Sequence, residues 1–159
     1  MLLWYVGVSV VAVHVVFRST GLDYRLVAFG ALGPLLVDLP FGHMAYGHTL
    51  LVAVGLLAAV MLATIGRPRL VRRRLLCLPI GVMAGLLLSG AFLHDQVILW
   101  PFVGDGFGDV ALIPALTPLV LAEGIGLACC GWAWGRFGLA DRERRAAFLR
   151  SGRLVEGPR

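Results

Sequence analysis

Apolar residues in this chain fall in long runs with few polar interruptions, with no alternation and no repeating polar face. The runs cover residues 2–17, 26–41, 48–65, 75–93 and 110–134, with short polar segments between them. A helix needs about 20 mainly apolar residues to cross the hydrocarbon of a bilayer. A helix apolar all round, moreover, belongs in lipid or a deep core rather than at a wet surface. The pattern predicts an all-α, polytopic membrane protein of about five transmembrane helices, occupying residues 1–135. From Phe137 onward polar and apolar positions mix, which marks residues 136–159 as a basic amphipathic tail with Asp141 as a helix N-cap.

Each run carries its own punctuation. The first has sixteen residues, with no positive charge before it and Arg18 after it, the reverse of a cleavable signal peptide. Gly30, Gly33, Pro34 and Pro40 interrupt the second, which is either a short kinked span or a re-entrant loop. The third ends in Gly66-Arg67-Pro68-Arg69, a helix stop and an anchor together. In the fourth, Gly81, Gly85 and Ser89 recur every four residues and share one helix face, a predicted close-packing seam. The fifth holds Pro114 and Pro118 in its outer half and Glu123 near its middle.

Charge orients the bundle. Lys and Arg together number 14 and all are arginine; two (Arg18, Arg25) follow the first run, five lie between Arg67 and Arg74, and seven between Arg136 and Arg159. Five spans put all three groups on one side, and basic residues in short loops are held on the cytoplasmic side. The expectation is an N-terminus outside, a C-terminus inside, and the bacterial cytoplasmic membrane as location. A re-entrant second segment would split the arginines between two sides, so a true span is favoured. Trp4 and Trp100 then fall at the outer interface, and Trp132 and Trp134 at the inner one, as an aromatic belt requires. The chain is 14% charged, against about 25% in soluble domains. Its net charge of +5 flanks apolar segments, so anionic lipid headgroups account for it and nucleic acid is not an expected partner. In the tail, Arg142, Arg144, Arg145 and Arg150 read as a lipid-surface face. The alternative is a docking helix for a membrane partner or a second copy of the chain. Cys77, Cys129 and Cys130 fall near inner ends of spans, where thiols stay reduced and act as small apolar filler.

Placing the spans also collects polar side chains. Asp38, His43, His48, His94 and Asp95 fall at the outer end, and imidazole with carboxylate suits zinc, iron or manganese. His48 would open the third helix, where the dipole favours the neutral, metal-binding imidazole. Asp38 would close the second, where a carboxylate needs a cation or metal to answer it. The plainer reading is that these are ordinary polar residues at a wet interface. Glu123, inside a span, could form a proton relay with His14, or could hold the bundle together as a protonated hydrogen-bond donor. The loop Gly104-Asp105-Gly106-Phe107-Gly108-Asp109 has the flexibility for calcium but not the ligand series, and reads as a turn.

Three segments carry a family resemblance: Gly33-Pro34-Leu35-Leu36-Val37-Asp38, Gly47-His48-Thr49-Leu50, and Gly85-Leu86-Leu87-Leu88-Ser89-Gly90 with Leu99-Trp100-Pro101-Phe102 after it. In that order the chain resembles the small bacterial inner-membrane family of metal-dependent hydrolases, within it an actinobacterial branch of membrane proteins. The absence of lysine and asparagine suits a GC-rich genome. The resemblance covers about residues 26–102. Its pattern is Pro-Asp-x-x-Asp, then His-Ser or His-Thr, then His-x-x-x-Asp on a later helix. Asp38 matches the second aspartate, and His48-Thr49 the histidine element. Leu35 stands at the first aspartate, and Gly85 and Ser89 stand where the later pair would be, so three ligands of the pattern are missing.

The resemblance thus implies the fold more than the activity. The first expectation is a non-catalytic membrane protein acting through helix packing and its basic tail. The second is a metal-dependent hydrolase using Asp38 and His48, with His94 or Asp95, on a lipid-like substrate at the outer interface. The third is a proton-linked carrier or assembly factor built on Glu123 and His14.

Overall fold

The computed structural model describes residues 1–19, 21–103, 106–107, 109 to 154. Among them every regular element is helical, and the one β contact is an isolated bridge between His43 and Ala111. The chain forms α1 (Trp4–Phe17, its first turn a π-helix), α2 (Tyr24–Asp38), α3 (Leu50–Ala63), α4 (Arg69–Leu75), α5 (Cys77–Ser89), α6 (Asp95–Ile98), α7 (Leu116–Arg136) and α8 (Arg142–Ser151). Three starts are capped by side chains. Asp23 accepts from the Arg25 amide, Thr49 from that of Val52 and Asp141 from that of Glu143, each satisfying a donor that a helix start leaves open. Of the sequence-predicted turn at 104–109, Gly104, Asp105 and Gly108 lie outside the described residues.

Several boundaries differ from the apolar runs, for local reasons. α2 runs unbroken through Pro34, so residues 26–41 form a continuous helix with a 3-10 extension at Leu39–Phe41, and neither Pro34 nor the glycines break it. α7 begins only at Leu116. Pro114 therefore precedes the helix, and Pro118 falls in its first turn, where a missing N–H costs no intrahelical bond. His48 does not open α3; it closes a 3-10 turn, Tyr46–His48, and Thr49 takes the cap.

Small residues set the packing. A Cβ on Gly81 would overlap the Val27 carbonyl oxygen, and one on Gly85 the carbonyl of Ala31. The seam expected on α5 is therefore the surface laid against α2, whose own Gly30 meets Leu78 and Gly81. Contacts advance in the same order along both helices, so α2 and α5 run parallel. α1 and α7 do likewise: Leu3 and Trp4 lie on Gly126, Gly7 on Gly126 and Cys130, and His14 faces Trp132 and Phe137. One apolar cluster fills the end that holds Asp38, around Tyr5, Leu35, Met44, Leu86 and Val97. A second fills the other end, around Val13, Tyr24, Val27, Cys77, Phe137 and Leu154.

The outside is as apolar as the inside. Leu62, Leu87, Leu116 and Leu127 are each more than 60% exposed, and Gly126 is the only buried residue of α7. Surfaces of that kind are not left to water by a stable soluble protein. Two helices, Tyr24–Phe41 and Leu116–Arg136, are long and apolar enough to cross a membrane, and α1 and α3 are apolar but shorter.

Candidate functional site

At one end of the bundle, α2 finishes on a buried carboxylate. Asp38 is its last residue and is wholly shielded from solvent, as is His48. The chain turns back through residues 39–47 and wraps its own amides around that side chain. Asp38 Oδ1 accepts from the Gly47 amide at 2.7 Å, and Oδ2 from the Ala45 amide at 2.6 Å and from His48 Nδ1 at 2.7 Å. A carboxylate at a helix C-terminus is answered here by three N–H donors of its own loop. The geometry gives the Nδ1 proton to the Asp38 bond, which leaves Nε2 as the open atom of His48. Nε2 is buried and has no hydrogen-bond partner among the described residues, a condition that ordinarily costs about 1–3 kcal/mol.

The other residues expected beside this pair stand elsewhere. His43 is half-buried, its Nδ1 against the Met44 carbonyl and its ring near Phe41. His94 and Asp95 are exposed at the turn into α6, where Asp95 caps the Gln96 amide at 2.9 Å. The four-ligand set Asp38, His48, His94 and Asp95 is not brought together, because the 3-10 turn at Ala91–Leu93 leads the last two out to the surface. Among the described residues no group of three or more His, Cys, Asp or Glu is placed to hold a metal ion. A carboxylate already filled by three donors and a single imidazole nitrogen do not fit zinc, iron or manganese. Leu35, Gly85 and Ser89 add no ligand; Gly85 instead supplies the close contact with α2.

The Glu123–His14 relay is not formed either. Glu123 accepts from the Leu3 amide at 3.0 Å and pairs with the Met1 ammonium group. It is nearly a third exposed, because α7 touches the bundle through so few residues. His14 sits roughly 15 Å further along α1, packed on Phe137 and Trp132, with Nδ1 3.3 Å from the Tyr24 hydroxyl. A helix that starts six residues later than the apolar run displaces Glu123 from the middle towards one end.

The opposite end gathers arginines from all three sequence groups around one acid, Asp23. Its carboxylate is 3% exposed and binds Arg25 Nη2 at 3.1 Å and Arg74 Nε at 2.8 Å. Burial pushes this carboxyl up, but the hydrogen bonds and charges of Arg25 and Arg74 outweigh burial and hold it below its ordinary value. Arg73 Nη2 donates to the Ser19 hydroxyl at 2.7 Å. The tail is fastened here rather than lying apart. The Tyr24 amide donates to the Gly152 carbonyl at 2.8 Å, the Arg25 guanidinium reaches the Leu149 and Arg150 carbonyls, and Leu154 is buried in the core. On α8, Arg142 and Arg150 stay exposed while Arg144 and Arg145 are half-buried. Asp23 was not among the residues singled out from sequence, yet its signal was there: an acid between Arg18 and Arg25, immediately before an apolar run, is an N-cap pattern. Compared with family models, curated proteins and solved structures, the chain finds no match.

Proposed function

We propose that this chain is a five-span protein of the bacterial cytoplasmic membrane, N-terminus outside and C-terminus inside. It is a non-catalytic relative of the hydrolase-like family it resembles, and works through helix packing and a basic cytoplasmic face. One observation carries the reading. Arginines far apart in sequence, Arg25, Arg73, Arg74 and Arg153, meet at a single end of the bundle, while Asp38 and His48 close the other. Alternating spans require that arrangement, and they also require the first and fifth helices to be parallel, and likewise the second and fourth. Helices of 13 to 15 residues are only about 20 Å long. Local bilayer thinning and arginines reaching to the headgroups accommodate that length.

Single cysteines at positions 43 and 142, in a background lacking Cys77, Cys129 and Cys130, test the topology. A membrane-impermeant thiol reagent applied to spheroplasts should label position 43 at once and position 142 only after permeabilisation. Position 43 reachable only from the cytoplasm would overturn the arrangement. The non-catalytic part is tested by elemental analysis of protein purified in mild detergent without chelator. Near-stoichiometric zinc, iron or manganese that disappears in the Asp38→Ala/His48→Ala double variant would restore the hydrolase reading.

A further inference from the structure

We propose that the cleft between the start of α2, α4 and the chain following α8 is a binding site for a phosphate group, the charged part of an anionic lipid headgroup. The cleft encloses about 410 Å³, a volume that suits a headgroup or a small phosphorylated molecule. Among the described residues, Arg73, Arg74 and Arg153 line it against a single acid, Asp23, an excess of two positive charges. That acid is already held by Arg25 as well as Arg74. The bonds described above commit one N–H of Arg73, to Ser19, and one of Arg74, to Asp23. A guanidinium carries five donors in a fork that matches phosphate oxygens, so donors remain on both for an anion.

The backbone is shaped to bring these groups together. A Cβ on Gly21 would stand 2.9 Å from the Arg73 guanidinium carbon, and one on Gly152 would run into the Asp23 carboxylate. Gly152 also has φ of +68°, a left-handed conformation that other residues adopt at a cost. The two bare positions let Arg73 and Asp23 approach the chain closely, and Gly152 brings Arg153 to the rim. Beside the arginines, Leu70 and Val71 line the same cleft and are 70% and 42% exposed. Basic charge next to an apolar margin matches a phosphate whose acyl chains continue into the bilayer, and basic pockets of cytoplasmic-side helices recognise anionic lipids in this way.

Placing the cleft at the inner leaflet rests on the orientation proposed above, so the test is made in detergent, where orientation plays no part. Thermal unfolding and native mass spectrometry would compare the wild type with Arg73→Gln/Arg153→Gln and with a charge-matched pair on α8, Arg142→Gln/Arg150→Gln. The probes are phosphatidylglycerol, phosphatidylcholine and inorganic phosphate. Arg74 and Asp23 are left intact because they fasten the fold. Phosphatidylglycerol should stabilise the wild type and the α8 variant, and bind the cleft variant at least about tenfold more weakly, the scale expected for two arginines at a headgroup. Inorganic phosphate that stabilises equally well, with the same sensitivity to Arg73 and Arg153, would keep the site but make free phosphate its source. Equal effects of phosphatidylglycerol and phosphatidylcholine, or equal losses in the two variants, would overturn the site and leave a generally basic surface. Should the double variant not fold, Arg153→Gln alone carries the same comparison. A topology scan placing Arg73 outside would move the site to the other leaflet without touching this result.

Discussion

Nδ1 of His48 lies 2.7 Å from Oδ2 of Asp38, with both side chains closed to solvent. The pair joins the end of α2 to the turn that precedes α3. Asp38→Ala would strand three donors, the amides of Ala45 and Gly47 and the His48 ring, and should cost about 3–5 kcal/mol. Asp38→Asn keeps one acceptor but turns an amide group towards those donors, and should cost about 2 kcal/mol. Thermal unfolding in mild detergent checks both. An alanine variant within about 0.5 kcal/mol of wild type, the range of ordinary surface changes, would show that the loop does not depend on this carboxylate.

Much of the helical plan was legible because apolar runs and stop residues are local signals. The stripe Gly81–Gly85 announced its own contact, and the charge groups announced one common end. The site was less legible because its partners are backbone amides. Nothing in the types of Ala45 and Gly47 says that their N–H groups close on Asp38. His94 and Asp95 looked like ligands since sequence gives their height along the bundle but not the 3-10 turn at Ala91–Leu93 that leads them to the surface. Glu123 and His14 matched in assumed depth only until α7 was found to start at Leu116.

Glycine-to-alanine exchanges should separate packing positions from open ones. At Gly81, Gly85 and Gly126 the added methyl meets the backbone of a neighbouring helix, whereas at Gly55 and Gly124 nothing lies within 4 Å. The first three should lose about 1–3 kcal/mol, since helices must part to admit a methyl. The last two should be unchanged or gain up to about 1 kcal/mol from helix propensity. Denaturation midpoints in detergent read the difference. Equal effects at Gly85 and Gly55 would mean that α2 and α5 are not in contact as described.

Asp23 makes stability depend on pH in a definite sense. Its folded-state pKa lies below the ordinary 3.8, since Arg25 and Arg74 outweigh the burial that raises it. The contribution is therefore fully present above pH 3.8 and lost as pH falls through the lower folded value. Asp23→Asn should cost about 2 kcal/mol near neutral pH, the scale of hydrogen bonds to a charged group, and the gap from wild type should close in acid. Melting temperatures of both proteins between pH 3 and 7 test this. A gap that widens in acid would reverse the sign and remove the ion pair from the account.

The docking of the tail can be tested apart from its charge. Leu154 is 3% exposed and packs with Phe137, Val13 and Tyr24, while the Gly152 carbonyl accepts from the Tyr24 amide. A tail resting on lipid by its arginines alone would not respond to a change at either position. With the docked arrangement, Leu154→Ala removes a buried side chain and should cost about 2–3 kcal/mol. Gly152→Ala should release the segment outright, because its methyl collides with Asp23 and its φ is left-handed. Trypsin reports the outcome, since α8 carries Arg142, Arg144, Arg145 and Arg150. Both variants should be cut within α8 several times faster than the wild type, while cleavage after Arg69, which precedes Leu70, stays the same. Identical rates at α8 would place the tail off the bundle, and with it Arg153 outside the cleft.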